Sequence, residues 1–376
     1  MAKKVSVLIF VGAGGPSAPE QMVAGAQAAS ALDTVERALA EDWCEEVIVS
    51  TASPSFARCL ADMPVTVELD RQDFHFGRQL VDLIHRHKIE RALYIGGGSG
   101  PLLTAAEFAS LGRTLLENDE VVITNNFFST DFAGFSPASA ITRIDPPAID
   151  NNLAWLLHYD GGLERRPLDR TPGTQLDIDT PADLMILQMH PQLGPHTAAF
   201  LRSLDLDLTR LQKAMAYLTE REAEIVVAGR VGSHVWARLE TDLACRKRIY
   251  AEERGMRASG REENGLVRSL LAYHLEVVGP RRFFADLVAD AQAVFLDSRV
   301  IFNHLKLGLS AADRFWSDLL EPGEVGNATA REFTAAARDA GVPVLMGGHS
   351  LVSGGLLVLI DVAWQKHDTP AGPAPA

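Results

Sequence analysis

Gly96, Gly97 and Gly98 follow the apolar run Ala92 to Ile95 and lead into Ser99, Gly100 and Pro101. Glycines at the carboxyl end of a strand let backbone N–H groups reach a ligand that side chains would hold off, and α/β sheets bind ligands along that edge. A second run, Gly12, Ala13, Gly14 and Gly15, follows the first apolar strand in the same way. In DIDTPADL, Thr180 is placed to cap a helix, Pro181 to open it and Asp183 to sit in its first turn. Asp177 is not needed for that cap, and Asp179 lies just before it. Asn125, Asn126 and Asp131 share the mixed aromatic and polar stretch NNFFSTDFAGFSPASA, which reads as a loop at the sheet edge.

Later in the chain, His349 and Ser350 stand between glycine pairs in MGGHSLVSGG, an arrangement that presents a side chain at a sheet edge. Neighbours along a chain point apart, so the two do not form a Ser–His catalytic pair. Asp297 and Arg299, one strand period apart, read as a buried ion pair before a ligand contact. Arg246, Lys247, Arg248, Arg254, Arg257 and Arg261 form a basic cluster with Glu252, Glu253, Glu262 and Glu263 interspersed. It reads as a helix face of paired charges, with Arg254 and Arg257 as candidates for holding an anionic substrate. His85 and His87 are two apart on a helix and cannot face one ion together.

The elements that must position these residues alternate. Val5 to Val11 and Glu46 to Ser50 read as buried strands, with a shorter extended piece at Pro64 to Leu69. Helices fall between them, with Leu32, Val35 and Leu39 on one face of the first and Leu80 and Ile84 on a later one. Strands alternating with helices imply a mostly parallel sheet covered on both sides. The segment carrying Pro146, Pro147, Pro167 and Pro172 reads as a lid or connection. Beyond Pro191 the composition shifts: AEIVVA, AVFLDSRVIF and VPVLMGGHSLVSGGLLVLIDVAW mark a second α/β or α+β domain. The expected division is 1–192, 193–365 and a disordered tail over 366–376.

Composition narrows the class. With 376 residues, 47% hydrophobic and 22% charged, the chain suits a globular protein of two domains. A formal charge of −14 disfavours general nucleic-acid binding, which needs a cationic surface. Three cysteines without CxxC spacing support neither a disulfide framework nor a thiolate metal site, which fits a cytoplasmic protein. VSVLIFVGAGG ends in a glycine turn and reads as a first strand, not a signal peptide. No apolar run reaches the roughly 20 residues that span a bilayer, so no membrane partner is expected. A homodimer is an assembly the sequence allows.

Taken in order, the glycine loop after the first strand, GGGSGPLL after a later one and DIDTPADL resemble the nucleotidyltransferases of the glycosyltransferase-A-like fold. These include molybdenum-cofactor guanylyltransferase, 2-phospho-lactate guanylyltransferase and the sugar-phosphate cytidylyltransferases. The resemblance covers Val5 to Met189 and implies a nucleotide-diphospho-sugar transferase-like domain. It implies that Gly12 to Gly15 and Gly96 to Ser99 hold a nucleoside triphosphate and that Asp177 or Asp179 binds Mg²⁺. It also implies transfer of a nucleotidyl group to a small phosphorylated acceptor with release of pyrophosphate. Two positions depart from the pattern. Ser99 stands where the family has a metal-binding Asp, for which Asp131 is a substitute, and no Lys or Arg follows the first loop before Arg37. A nucleotide- or sugar-phosphate-binding protein without catalysis, and a nucleotide-sugar-dependent glycosyltransferase, are the alternatives the same fold serves.

Overall fold

The computed structural model describes residues 4–70 and 73–369. It separates into two compact units, the first made of residues up to Gly15 with Ala24–Ile178 and Gly194–Phe200. The second is made of Pro16–Val23, Asp179–Leu193 and the chain from Leu201 onward. Each carries its own sheet, so the chain is α/β with a mostly parallel seven-stranded sheet and a second, parallel one. Residues 370–376, most of the expected tail, lie outside the described residues, and the last helix runs from Gly354 to Asp368. Among the described residues no helix is long and apolar enough to cross a membrane.

The first sheet contains β1 (Val5–Val11), β2 (Cys44–Thr51), β3 (Thr66–Leu69), β4 (Ala92–Gly96), β5 (Val121–Thr124), β6 (Phe132–Ser136) and β7 (Glu164–Pro167). Their order is β3-β2-β1-β4-β6-β5-β7. β1 pairs in parallel with β2 on one side and β4 on the other, while β6 runs antiparallel to both its neighbours. Chain order reverses between β1 and β4, which makes the carboxyl edge there a topological switch point with a crevice outside it. The expectation of a loop across NNFFSTDFAGFSPASA is corrected here, since its second half is β6 in the interior of the sheet. Its Gly134 and Ser136 obscured a strand whose every residue is buried.

Alternation along β1 explains the layers. Leu8 and Phe10 point into one core with Leu80, Leu83 and Ile84 of helix Phe76–His87. Val5, Val7, Ile9 and Val11 point into the other, with Ala31, Val35 and Ala38 of helix Ala18–Leu39. Helix Ala105–Glu117 closes that second face, with Thr104 and Glu107 forming a reciprocal cap at its start.

The second unit contains β8 (Glu224–Gly229), β9 (Arg246–Ala251), β10 (Ala293–Asp297) and β11 (Val344–Gly347), in the order β11-β10-β8-β9 and all parallel. Phe283, Phe284, Phe302 and Phe333 pack edge-on and tilted in its core. Arg246, Lys247 and Arg248 lie on β9, so the helix face expected for the basic cluster is an edge strand and the loop beyond it. Asp297 and Arg299 also depart from expectation: β10 ends at Asp297, which caps the helix Ser298–His304. Strand spacing therefore does not apply to the pair. Arg299 binds Asp318 through two bonds of 2.8 and 2.5 Å instead.

Gly112 seats helix Ala105–Glu117 on Trp43, since a Cβ there would fall 2.1 Å from the indole ring. Alanine in a helix interior gains about 1 kcal/mol over glycine, whereas overpacking a core costs about 1–3 kcal/mol. The ring is 7% exposed and packs on Phe108, so the clash wins. Gly112→Ala is expected to lower the urea midpoint, while equal or higher stability would show that the indole moves freely.

Candidate functional site

The first sheet's carboxyl edge is built around Gly96. A Cβ on this glycine would lie 2.8 Å from Ser99 Oγ, 3.3 Å from Asp131 O and 3.6 Å from Tyr94 Oη. The absent side chain therefore leaves three oxygen-bearing groups facing one small space. Ser99 Oγ donates to Asp131 O at 2.9 Å, and Gly96 N donates to the same oxygen at 3.2 Å. Asp131 is thus brought beside Ser99. Asn125 fixes its carboxylate: Asn125 Nδ2 donates to Asp131 Oδ2 at 2.5 Å, and Asp131 N returns a bond to Asn125 Oδ1 at 3.2 Å. Asn126 is a turn residue whose Oδ1 accepts from Phe128 N.

The other two glycines of the triplet are needed for packing. Gly97 N donates to Phe10 O at 2.8 Å, and a Cβ on Gly98 would fall 2.9 Å from Ile178 O. Ser99 and Asp177 form an antiparallel bridge, with Ile178 N donating to Gly98 O at 3.1 Å. The GGGS turn and the start of DIDTP are therefore joined directly. The Gly12 to Gly14 loop is exposed, and a Cβ on Gly12 would meet nothing within 4 Å. Gly15, partly buried, ends that loop's share of the unit.

Tyr94 and Asp150 are the site residues that sequence reasoning missed. Tyr94 Oη donates to Asp150 Oδ2 at 2.7 Å while its ring packs edge-on against Phe10 and Phe76. Burial, then the charges of Asp150, Asp177 and Asp131, raise its pKa well above the ordinary tyrosine value. The hydroxyl stays a donor here, bonded to Asp150 and influenced by the charges of Asp177 and Asp131. A polar-tipped tyrosine inside an aliphatic strand, directly before the glycines, was the available signal. Asp150 carried none, because its proline-rich surroundings read as a connection.

These donors suit a hard cation. Asp131, Asp150, Asp177, Ser99 and Tyr94 offer only oxygen, and Mg²⁺ is commonly held by one or two carboxylates, with water and substrate phosphate completing its shell. Among the described residues, the one trio of ligand atoms within 4.8 Å of one another is Asp33, Glu36 and His196. Asp33 there receives His196 N, Thr197 N and Thr197 Oγ1, so it caps helix Pro195–Arg202. Arg37, the first cation after the glycine loop, lies over the Phe108 ring at 5.6 Å.

Asp179 belongs to the second unit and is exposed. There Thr180 and Asp183 form the expected cap of helix Pro181–Met189. Asp183 Oδ2 accepts from Asp179 N, Thr180 N and Thr180 Oγ1, while Oδ1 is buried with no hydrogen-bond partner among the described residues. Of the remaining candidates in that unit, Arg257 pairs with Glu262 at 3.1 Å. Arg254 and His349 lie at the carboxyl edge of the second sheet, beyond β9 and β11 respectively.

No protein-family model matches the chain, and no curated protein matches it in sequence. Among solved structures, it is similar to a CMP:2-keto-3-deoxy-manno-octonic acid synthetase complexed with CTP, at 14% identity and TM-score 0.37, over 54% of this chain and 100% of that one. A cytidylyltransferase from Leptospira borgpetersenii gives 16% and 0.39, over 53% and 93%. Rv0371C from Mycobacterium tuberculosis, solved with manganese, gives 15% and 0.34, over 48% and 95%. Similarity at this distance leaves the assignment of chemistry to the residues themselves.

Burial, then the charge of Asp179, raises the Asp183 pKa from 3.8 to about 8. The folded state thus keeps a proton that the unfolded chain releases near pH 4. The associated stability is full below that pH and is lost as pH rises toward 8. Asp183→Asn, neutral at every pH, is expected to flatten this decline. Urea midpoints at pH 5 and pH 8 should converge in the variant, and an unchanged difference would assign the slope to other groups.

Proposed function

We propose that the first unit binds a nucleoside triphosphate over Gly12 to Gly15 and Gly96 to Ser99 and transfers its nucleotidyl group to a small phosphorylated acceptor. The observation that carries this reading is the Tyr94 hydroxyl bonded to Asp150, with the charges of Asp177 and Asp131 also acting on it, at a switch-point edge flanked by two glycine turns. Carboxylates at one edge repel the phosphates of a nucleotide, so nucleotide binding there calls for a cation between. Asp131 would take the place left by Ser99, a reading supported by the bond from the serine hydroxyl to the Asp131 backbone carbonyl.

In this reaction an acceptor phosphate oxygen bonds to the α-phosphorus, the bond from that phosphorus to the bridging oxygen breaks, and pyrophosphate leaves. Positioning and charge neutralisation do most of the work in such transfers. Asp131, Asp150 and Asp177 would hold Mg²⁺, which would offset charge on the phosphate oxygens. Asn125 positions Asp131, and Tyr94 positions Asp150, each through a direct hydrogen bond. Backbone N–H groups of the open first loop would meet the phosphates in place of the missing basic side chain. A binder without catalysis is favoured by one feature, the neutral Ser99 where a carboxylate would complete the metal shell.

Thermal denaturation with ATP, GTP, CTP and UTP, each with and without Mg²⁺, separates the two. A ligand at one hundred times its Kd stabilises the native state by about 2.7 kcal/mol. The transferase reading expects one triphosphate to raise Tm only with Mg²⁺, and Asp177→Asn and Asp150→Asn to abolish the rise. A rise indifferent to Mg²⁺ would support the binder, and no rise with any triphosphate would remove both. Tyr94→Phe is expected to keep the fold and weaken the Mg²⁺-dependent rise, read by the same assay.

A further inference from the structure

The second sheet has its own switch point. β8 is followed by β9 on one side, whereas β10 and β11 are added on the other, so the carboxyl ends of β8 and β10 flank a crevice. Arg230 follows β8 and Asp297 ends β10, and the two meet through Arg230 Nε to Asp297 Oδ2 at 2.6 Å and Nη2 to Oδ1 at 3.1 Å. Gly229, at φ +123°, permits this approach, since a Cβ there would fall 2.4 Å from Asp297 Cβ. Asp297 is fully buried, so Arg230 is held in one orientation with its side chain 16% exposed.

Three further groups close on the same turn. A Cβ on Gly232 would lie 2.9 Å from the His234 ring and 3.4 Å from Arg254 Cζ, so both side chains fold over the Gly229 to Gly232 loop. His349, beyond β11, has its pKa lowered to about 4, first by burial and then by Arg230, with Arg254 and His234 adding to the effect. Helix Ser233–Asp242 starts at this loop, and its cap residue Gly232 supplies no side-chain acceptor. In a chain of net charge −14, two guanidinium groups, two imidazoles and an uncapped helix start meet at one edge, with Asp297 buried against Arg230 and Glu252 and Glu253 following β9.

We propose that this edge binds the phosphate dianion of a small phosphomonoester. Guanidinium forks and helix-start N–H groups match phosphate oxygens in geometry as well as charge. The carboxylates following β9 argue against a dinucleotide, which would need one of them for a ribose. Glu252 accepts from Ser269 Oγ and Leu270 N, and Glu253 accepts from Arg261. Both are committed to the loop and helix that follow. The assignment stands apart from nucleotide binding in the first unit.

Calorimetric titration of the full chain with glycerol 3-phosphate, inorganic phosphate and acetate tests it. Binding is expected for the phosphates and not for acetate; tighter binding of the monoester identifies an organic phosphate, and equal binding identifies free phosphate as the occupant. Arg254→Ala, at an exposed position, is expected to weaken binding at least tenfold while the variant still unfolds cooperatively in the absence of ligand. Asp177→Asn should leave it intact. In proton NMR, the imidazole signals of His234 and His349 should move on titration while that of His85 stays. Absence of binding by either phosphate, equal affinity in Arg254→Ala, or stationary His234 and His349 signals would overturn the assignment.

Discussion

The antiparallel bridge between Ser99 and Asp177 is the constraint on which the first unit's edge depends. It joins a turn that follows β4 to a segment that arrives about eighty residues later, and it does so through backbone groups alone. Gly98 makes the join possible, because any side chain there would press on the Ile178 carbonyl. Once the turn is fixed, Ser99 Oγ is aimed at Asp131 O, and the β5–β6 loop is held to the same place. The backbones of Asp131 and Asp177 are thus both tied to Ser99 by direct contacts.

The two sheets arrive at opposite electrostatics by similar means. Each reverses its strand order once, and each places short glycine turns at the reversal. In the first, the side chains gathered there are carboxylates with a tyrosine donor. In the second, they are arginines and histidines set around one buried carboxylate. A switch point supplies the crevice, and the residues following the strands decide the sign of what it accepts.

Burial shapes both edges. Tyr94 is kept protonated by burial and nearby carboxylates, and His349 is kept neutral by burial and nearby cations against the opposing charge of Asp297. Asp183 follows the same rule, holding its proton at a helix start where a carboxylate normally ionises. In that cap the Oδ2 atom takes three donors, which favour the carboxylate, but burial and the charge of Asp179 outweigh them.

The alternation of strand and helix, the cap at Thr180, and the glycine turns were legible in the sequence, because each depends on residues within a few positions of one another. The α/β class with a second sheet followed from that pattern. β6 was not legible: its Gly134 and Ser136 look like loop residues until the neighbouring strands bury them. Asp150 beside Tyr94, Asp131 beside Ser99, and Arg230 on Asp297 are pairs far apart in sequence, and only closure of the sheets sets their distances. Arg299 paired with Asp318, not Asp297, for the same reason, since a strand ended where periodicity had extended it. Local spacing by itself determined which backbone turns the chain makes. Tertiary structure decided which side chains share each turn, because electrostatics and hydrogen bonding act over ångströms of space and take no account of distance along the chain.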